Sequence, residues 1–196
     1  SFSGRPFFDE KGAFSGYRGV CADISATKRA ETRIAHLAHH DALTDLPNRA
    51  LFTARLDQAL SNREKSRLVL LSLDLDGFKA VNDRYGHPAG DVLLVEVAGR
   101  LERLAEQGDL IARLGGDEFL ILRTASVDIL EVETFAERLI DALKASFMVE
   151  GDDVSVGVSI GVAFAPSDGQ SSETLLRNVD AALYRAKAEG RGTFRF

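Results

Sequence analysis

An α/β fold of ferredoxin-like type, a mixed sheet with helices packed around it, is predicted by three features of the sequence. Helix-periodic and strand-like segments follow one another in the order α-β-α-α-β-β-α-β-α-β. The run from Leu68 to Leu75 is almost wholly apolar, the mark of a strand covered on both faces. Two more apolar runs, Leu110 to Leu114 and Phe119 to Leu122, are joined across Gly115-Gly116-Asp117-Glu118 and predict a hairpin at the centre of the sheet. Helices over a mixed sheet with a central hairpin make an α/β sandwich.

The elements are predicted in order as follows. Residues 1–24 alternate Gly, Phe and charge, and Tyr17 to Ile24 reads as a short strand, too little to bury a core of its own. Ser25 is placed to cap a connecting helix over Lys28 to His40, with Ala30, Ile34, Leu37 and Ala38 at helical spacing. That apolar stripe covers under two heptads and could pair with a second copy of itself. The main domain starts near His39, where Leu43-Thr44-Asp45-Leu46-Pro47-Asn48-Arg49 turns into a helix reaching about Leu60. The buried strand follows, then a short helix from Phe78 to Tyr85 and a longer one from about Ala89 to Glu106. After the hairpin come a helix over Ile129 to Ala145, a strand over Val154 to Ala165 weakened by Gly157 and Gly161, and a last helix from Glu173 to Glu189 stopped by Gly190. Phe194 to Phe196 reads as a strand. The abrupt ends at Ser1 and Phe196 lead us to expect a piece excised from a longer protein.

Composition removes several function classes. The 196 residues are 45% hydrophobic and 28% charged, as in an ordinary globular domain. A net charge of −6 argues against nucleic-acid binding through phosphate neutralisation, though not against a small anion held by a local basic patch. The single cysteine, Cys21, permits no internal disulfide, which fits a reducing, cytoplasmic setting. No run approaches the ~20 apolar residues that span a bilayer. His36, His39 and His40 lack a Cys partner or an evident fourth ligand, and they read as packing at a helix end rather than a zinc site.

The acids at strand ends point to chemistry. Asp74 and Asp76 close the buried strand and, two residues apart, share one face. A carboxylate there is costly unless a cation meets it. Asp76 is equally explained as a cap on the helix at Phe78; Asp74 lies too deep for that. Asp117 and Glu118 sit at the hairpin tip after two glycines that let a ligand approach the backbone. With the hairpin beside the Asp74 strand, three or four oxygens converge, a donor set suited to Mg²⁺, which usually comes with phosphates. Lys79 opens the following helix. Lys187 and Arg191 are four apart at the end of the last one, an arrangement that dipole complementarity explains as well as phosphate binding does. Acids and bases together, without a P-loop or a GxGxxG fingerprint, suggest metal-assisted phosphoryl or nucleotidyl transfer.

The segment Arg113-Leu114-Gly115-Gly116-Asp117-Glu118-Phe119 resembles the signature of GGDEF domains, the diguanylate cyclases. Asp41-Ala42-Leu43-Thr44-Asp45-Leu46-Pro47-Asn48-Arg49 resembles the family's opening turn. Asp74-Leu75-Asp76-Gly77-Phe78-Lys79-Ala80-Val81-Asn82-Asp83 and Gly86-His87-Pro88-Ala89-Gly90-Asp91 resemble its metal and guanine segments. Ser159-Ile160-Gly161-Val162-Ala163 and Asp180-Ala181-Ala182-Leu183-Tyr184-Arg185-Ala186-Lys187 resemble its later strand and helix. These segments run in the family's order over about residues 39–196. The resemblance implies a palm-type, nucleotide-cyclase-like fold and the condensation of two GTP into cyclic di-GMP with release of two pyrophosphates. It implies that Asp74, the Leu75 carbonyl and Asp117 hold Mg²⁺ (or Mn²⁺). Asp117 is then also the base for the 3′-hydroxyl, supported by Glu118. Asn82 and Asp91 read guanine, with Phe78, Gly115 and Gly116 also at the substrate. Lys79, Lys187 and Arg191 neutralise phosphates, Lys79 stabilising the transition state. One domain holds one GTP, so a C₂ homodimer is expected.

Two departures from the family pattern matter. Where the family often carries an Arg-x-x-Asp inhibitory motif, this chain has Glu106-Gln107-Gly108-Asp109, so no inhibitory product site is expected. Gly192 stands where the family commonly has Asn. Residues 1–24 resemble the last strands of a PAS sensory domain, residues 25–38 a signalling helix, and the C-terminal residues the point where composite proteins continue into an EAL phosphodiesterase domain. The alternative reading is a GTP-binding regulatory domain with little turnover that controls an attached EAL phosphodiesterase.

Overall fold

The computed structural model describes residues 2–61, 67–124, 128–149 and 151–196. They form two compact units, Ser1–Ala38 and His39–Phe196. In the first unit β1 (Phe2–Phe8) and β2 (Phe14–Cys21) pair antiparallel, followed by α1 (Ser25–Leu37). The expected single strand is thus the second half of a hairpin. Phe7, Phe8, Phe14, Tyr17 and Val20 are exposed on it, in line with a segment that buries no core. Ser25 does not cap α1: the N-cap is Ile24 without a side-chain bond, and the Ser25 N–H instead donates to Asp23 Oδ1 at 2.8 Å.

The second unit follows the predicted order, with α2 (Arg49–Ser61), β3 (Leu68–Asp76), α3 (Phe78–Tyr85), α4 (His87–Leu104), β4 (Leu110–Gly115), β5 (Glu118–Arg123) and α5 (Ile129–Lys144). It continues through β6 (Phe147–Val149), β7 (Asp152–Val154), β8 (Gly157–Ala165), α6 (Ser172–Ala188) and β9 (Phe194–Arg195). The sheet order is β4-β5-β3-β8-β9, antiparallel throughout except for the parallel β8–β9 pair. Its first four strands have the ferredoxin-like arrangement: β5 is inserted between β3 and β4, and β8 closes the other side of β3. The expected strand over Val154 to Ala165 is split. Val154 ends the small β6–β7 hairpin, and β8 begins at Gly157. Three-residue strands carry too few alternations to register as a period.

β3 explains why its sequence is apolar throughout. Val69, Leu71, Leu73 and Leu75 enter a core with residues of α3, α4 and α5, while Leu68 and Leu70 pack with Phe52, Leu56, Leu175 and Val179 of α2 and α6. Helix α6 crosses β8 so closely that a Cβ at Gly161 would lie 2.2 Å from the Val179 carbonyl oxygen. The glycine that weakens the strand in sequence is therefore what admits the helix.

Candidate active site

The alternation that buries both faces of β3 also turns Ser72, Asp74 and Asp76 toward the α6 side. Each meets a partner there. Ser72 stands beside the Asp180 carboxyl and helps to favour its charged form. Lys187 Nζ stands 2.6 Å from Asp74 Oδ2. Asp76 accepts from the Ser159 hydroxyl at 2.9 and 3.0 Å and from the Gly192 N–H at 3.0 Å, with Arg191 Nε 3.8 Å away. Asp76 is therefore no helix cap; the N-cap of α3 is Gly77, which has no side-chain bond. Lys187 and Arg191 do more than complement the α6 dipole, because each is paired to a β3 carboxylate. Gly192 serves through its backbone N–H, which its side-chain departure from the family pattern leaves intact.

Register brings the second set of acids to this place. Asp74 lies directly opposite Glu118 across the β3–β5 ladder, and the Leu75 N–H points to the Asp117 carbonyl oxygen at 3.4 Å. The tip needs its glycines: Gly115 and Gly116 take φ of 133° and 55°, the left-handed side of the map. Arg113 holds this turn, donating Nε and Nη2 to the Gly116 carbonyl oxygen at 3.1 and 2.8 Å and Nη1 to Asp41 Oδ1 at 2.8 Å. Asp41 also accepts from the Thr44 N–H and hydroxyl at 2.9 and 2.8 Å. Burial opposes its charge, yet the Thr44 donors and the Arg113 guanidinium together hold its carboxyl below the usual carboxylate range. The opening turn thus braces the hairpin tip. The Asp-x-x-Thr spacing signals the Asp41 turn in sequence, but nothing local pairs it with Arg113, 72 residues away.

The electrostatics favour a cation. Burial pushes the Asp74 carboxyl above its ordinary pKa, with the neighbouring charges of Asp117 and Asp76 adding to the shift and Lys187 opposing it. Burial likewise raises Asp180, against the pull of Arg49 and Ser72. Among the described residues, no three His, Cys, Asp or Glu side chains converge closely enough to form a finished ion cage. Beside the cluster lies a cavity of about 250 Å³ lined in part by Arg49, Ser72, Glu118, Asp180, Tyr184 and Lys187.

The remaining expected residues divide. Phe78, Asn82 and Gly90 come together where α3 packs on α4. Asn82 Oδ1 is buried without a hydrogen-bond partner among the described residues, and a Cβ at Gly90 would lie 1.9 Å from it and 3.2 Å from Phe78 Cζ. Asp91 is exposed near the start of α4, next to Gly90. Lys79 is exposed on α3 and forms no ion pair among the described residues. Glu106 and Asp109 are occupied from within. Arg123, 2% exposed, sets Nη2 2.6 Å from Glu106 Oε2 and Nε 3.3 Å from Asp109 Oδ1, with its guanidinium 4.0 Å from the Phe135 ring centroid. The Asp109 contact is not aligned as a hydrogen bond, so charge rather than direction holds it. Burial raises the Asp109 pKa, opposed by the Glu106 N–H and by Arg123. Sequence reasoning missed Arg123, which sits in an ordinary strand pattern.

The family model for "Diguanylate cyclase, GGDEF domain" matches residues 38–193. The bifunctional diguanylate cyclase/cyclic di-GMP phosphodiesterase MucR of Pseudomonas aeruginosa is 45% identical over 170 residues, 86% of this chain and 25% of that protein. A protein y4lL of Sinorhizobium fredii, itself uncharacterized, is 40% identical over 97% of this chain and 24% of its own length. The chain thus spans about a quarter of these relatives. The solved GGDEF domain of TpbB from Pseudomonas aeruginosa is 41% identical and superposes with a TM-score of 0.76 over 80% of this chain and 93% of that one.

Proposed function

This chain belongs to the GGDEF family of diguanylate cyclases, and on that footing we propose that it condenses two GTP into cyclic di-GMP, acting as a homodimer with a divalent ion. The observation that supports the reading most is the register pairing of Asp74 with Glu118, with Asp117 and the Lys187 ammonium at the same sheet end. A half-buried carboxylate with two acids beside it is an oxygen donor set suited to Mg²⁺ or Mn²⁺. Asp74, Asp117 and the Leu75 carbonyl would hold the ion, with Glu118 in support. When bound, it supplies charge neutralisation at the phosphate under attack and acidifies the attacking hydroxyl.

The chain's own side chains do the rest. Asn82 Oδ1, buried and unpaired among the described residues, is suited to accept from the guanine N–H donors, as is the Asp91 carboxylate. Adenine has no matching donors at those positions. Lys79, Lys187 and Arg191 take up phosphate charge. Asp117 takes the proton of the 3′-hydroxyl as its oxygen attacks the α-phosphate of the facing nucleotide; the bond to the β-phosphate breaks and pyrophosphate leaves. Each domain supplies one GTP, so two must face each other. We read residues 1–24 as the end of a PAS-like sensory domain and 25–38 as its signalling helix, and place an EAL domain downstream, as the bifunctional name of MucR supports. No helix among the described residues is long and apolar enough to cross a membrane; we propose a cytoplasmic protein.

Incubating dimeric protein with GTP and Mg²⁺ and resolving the nucleotides by chromatography tests the reading. Cyclic di-GMP and pyrophosphate are expected. Asp117→Ala is expected to lower turnover by about 10³-fold or more, a loss of roughly 4 kcal/mol in transition-state stabilisation. Turnover retained in that variant removes Asp117 from the role.

A further inference from the structure

The cation already seated on Asp74 deserves a function of its own. Lys187 Nζ lies 2.6 Å from Asp74 Oδ2, a carboxylate that would hold the ion. Lys187 is one-third exposed and borders the 250 Å³ cavity, so its ammonium has room to leave. Its position at the end of α6 leaves the chain's grip on Asp76 to Arg191, Gly192 and Ser159. We infer that Lys187 is a resident counter-ion that excludes a bare divalent ion from Asp74 and gives way only when a triphosphate arrives to receive its ammonium.

Entry of the ion is a charge exchange. A dication entering alone must break the Lys187–Asp74 pair and remain close to the displaced ammonium, which repels it. A dication entering with a triphosphate meets neither cost, because the ammonium moves from carboxylate to phosphate oxygen. Ion and nucleotide binding are then positively coupled through one side chain, and the coupling must be reciprocal. The inference rests on the reading of Asp74 as an ion ligand, and its consequence has an unusual sign: removing a residue of the phosphate-binding set strengthens binding of the metal by itself.

Titration of Mn²⁺ alone, followed by the loss of free-ion EPR signal, tests this in the dimeric wild-type protein and in Lys187→Gln, Asp74→Asn and Lys144→Gln. Lys144 is exposed at the end of α5, and its variant controls for the general loss of one positive charge. Lys187→Gln is expected to bind Mn²⁺ alone about tenfold more tightly than wild type, while Lys144→Gln stays within about twofold. With a non-hydrolysable GTP analogue present, the gain in Mn²⁺ affinity caused by nucleotide is expected to be smaller in Lys187→Gln than in wild type. Mn²⁺ binding lost in Asp74→Asn but not tightened by Lys187→Gln overturns this inference and leaves the metal reading standing. Mn²⁺ binding undiminished by Asp74→Asn overturns both.

Discussion

Where β3 meets the start of β5, Asp74 faces Glu118; where the same two strands end at the other side of the sheet, Val69 faces Arg123. Acids and bases gather at both ends. At the first, Asp74, Asp76, Asp117 and Glu118 are set against Lys187 and Arg191, and these cations are 33% and 64% exposed. At the second, Glu106 and Asp109 are set against Arg123, which is 2% exposed and covered by the Phe135 ring. The first has glycines at its tip and counter-charges partly open to solvent; the second has one cation under an aromatic ring. Carboxylates alone thus do not make a site. Excess negative charge with replaceable partners does, whereas an enclosed pair holds structure together.

The comparison can be broken by substitution. Arg123→Met leaves the Asp109 carboxylate without its cation, held only by the Glu106 N–H, and is expected to cost about 3 kcal/mol in urea unfolding. Adding Asp109→Asn should recover part of the loss, and GTP turnover per folded molecule should be unchanged. A large loss of turnover in the stable double variant would mean that the closed cluster serves the reaction after all. At the open end, Gly90→Ala puts a methyl group 1.9 Å from the present position of Asn82 Oδ1, and the side chain must move. We expect the KM for GTP to rise about tenfold with kcat changed far less, the pattern of a lost ground-state contact. An unchanged KM would detach Asn82 from guanine recognition.

Between the two lies the Asp41–Arg113 pair, enclosed like the second cluster yet bracing the tip of the first. Because the folded state holds the Asp41 pKa below its unfolded value, its contribution is complete above the ordinary carboxylate range near pH ~4 and is lost as pH falls through the folded value. Asp41→Asn is expected to cost about 1 kcal/mol at neutral pH. That difference from wild type should shrink toward pH 3; a pH-independent difference would assign the loss to packing instead. The smallest effect expected is none: calorimetry with cyclic di-GMP should give no tight binding at Glu106–Asp109, since the Arg123 guanidinium is already ion-paired with both acids. Tight binding that depends on Asp109 would reopen that end of the sheet to ligands.

Much of this was legible in the amino-acid order. Periodicity located β3, the hairpin and the long helices because each spans enough residues for its pattern to repeat. Motif spacing singled out Asp74, Asp117, Lys187 and Arg191. The β6–β7 hairpin was not legible, because its strands are three residues long. The ambiguity over Asp76 could not be resolved locally either: its partners Ser159, Arg191 and Gly192 arrive from β8 and from beyond α6.

The sequence by itself determined the alternation of apolar and polar residues, hence which strand is buried on both faces, and it supplied glycines where the tip must turn and α6 must pass. Only the tertiary structure decided which acid meets which base. Lys187 on Asp74, Arg113 on Asp41 and Arg123 between Glu106 and Asp109 are contacts across strand register and helix packing, and charge attraction carries no address along the chain. Register assigns the partner, and burial then sets how firmly it is held.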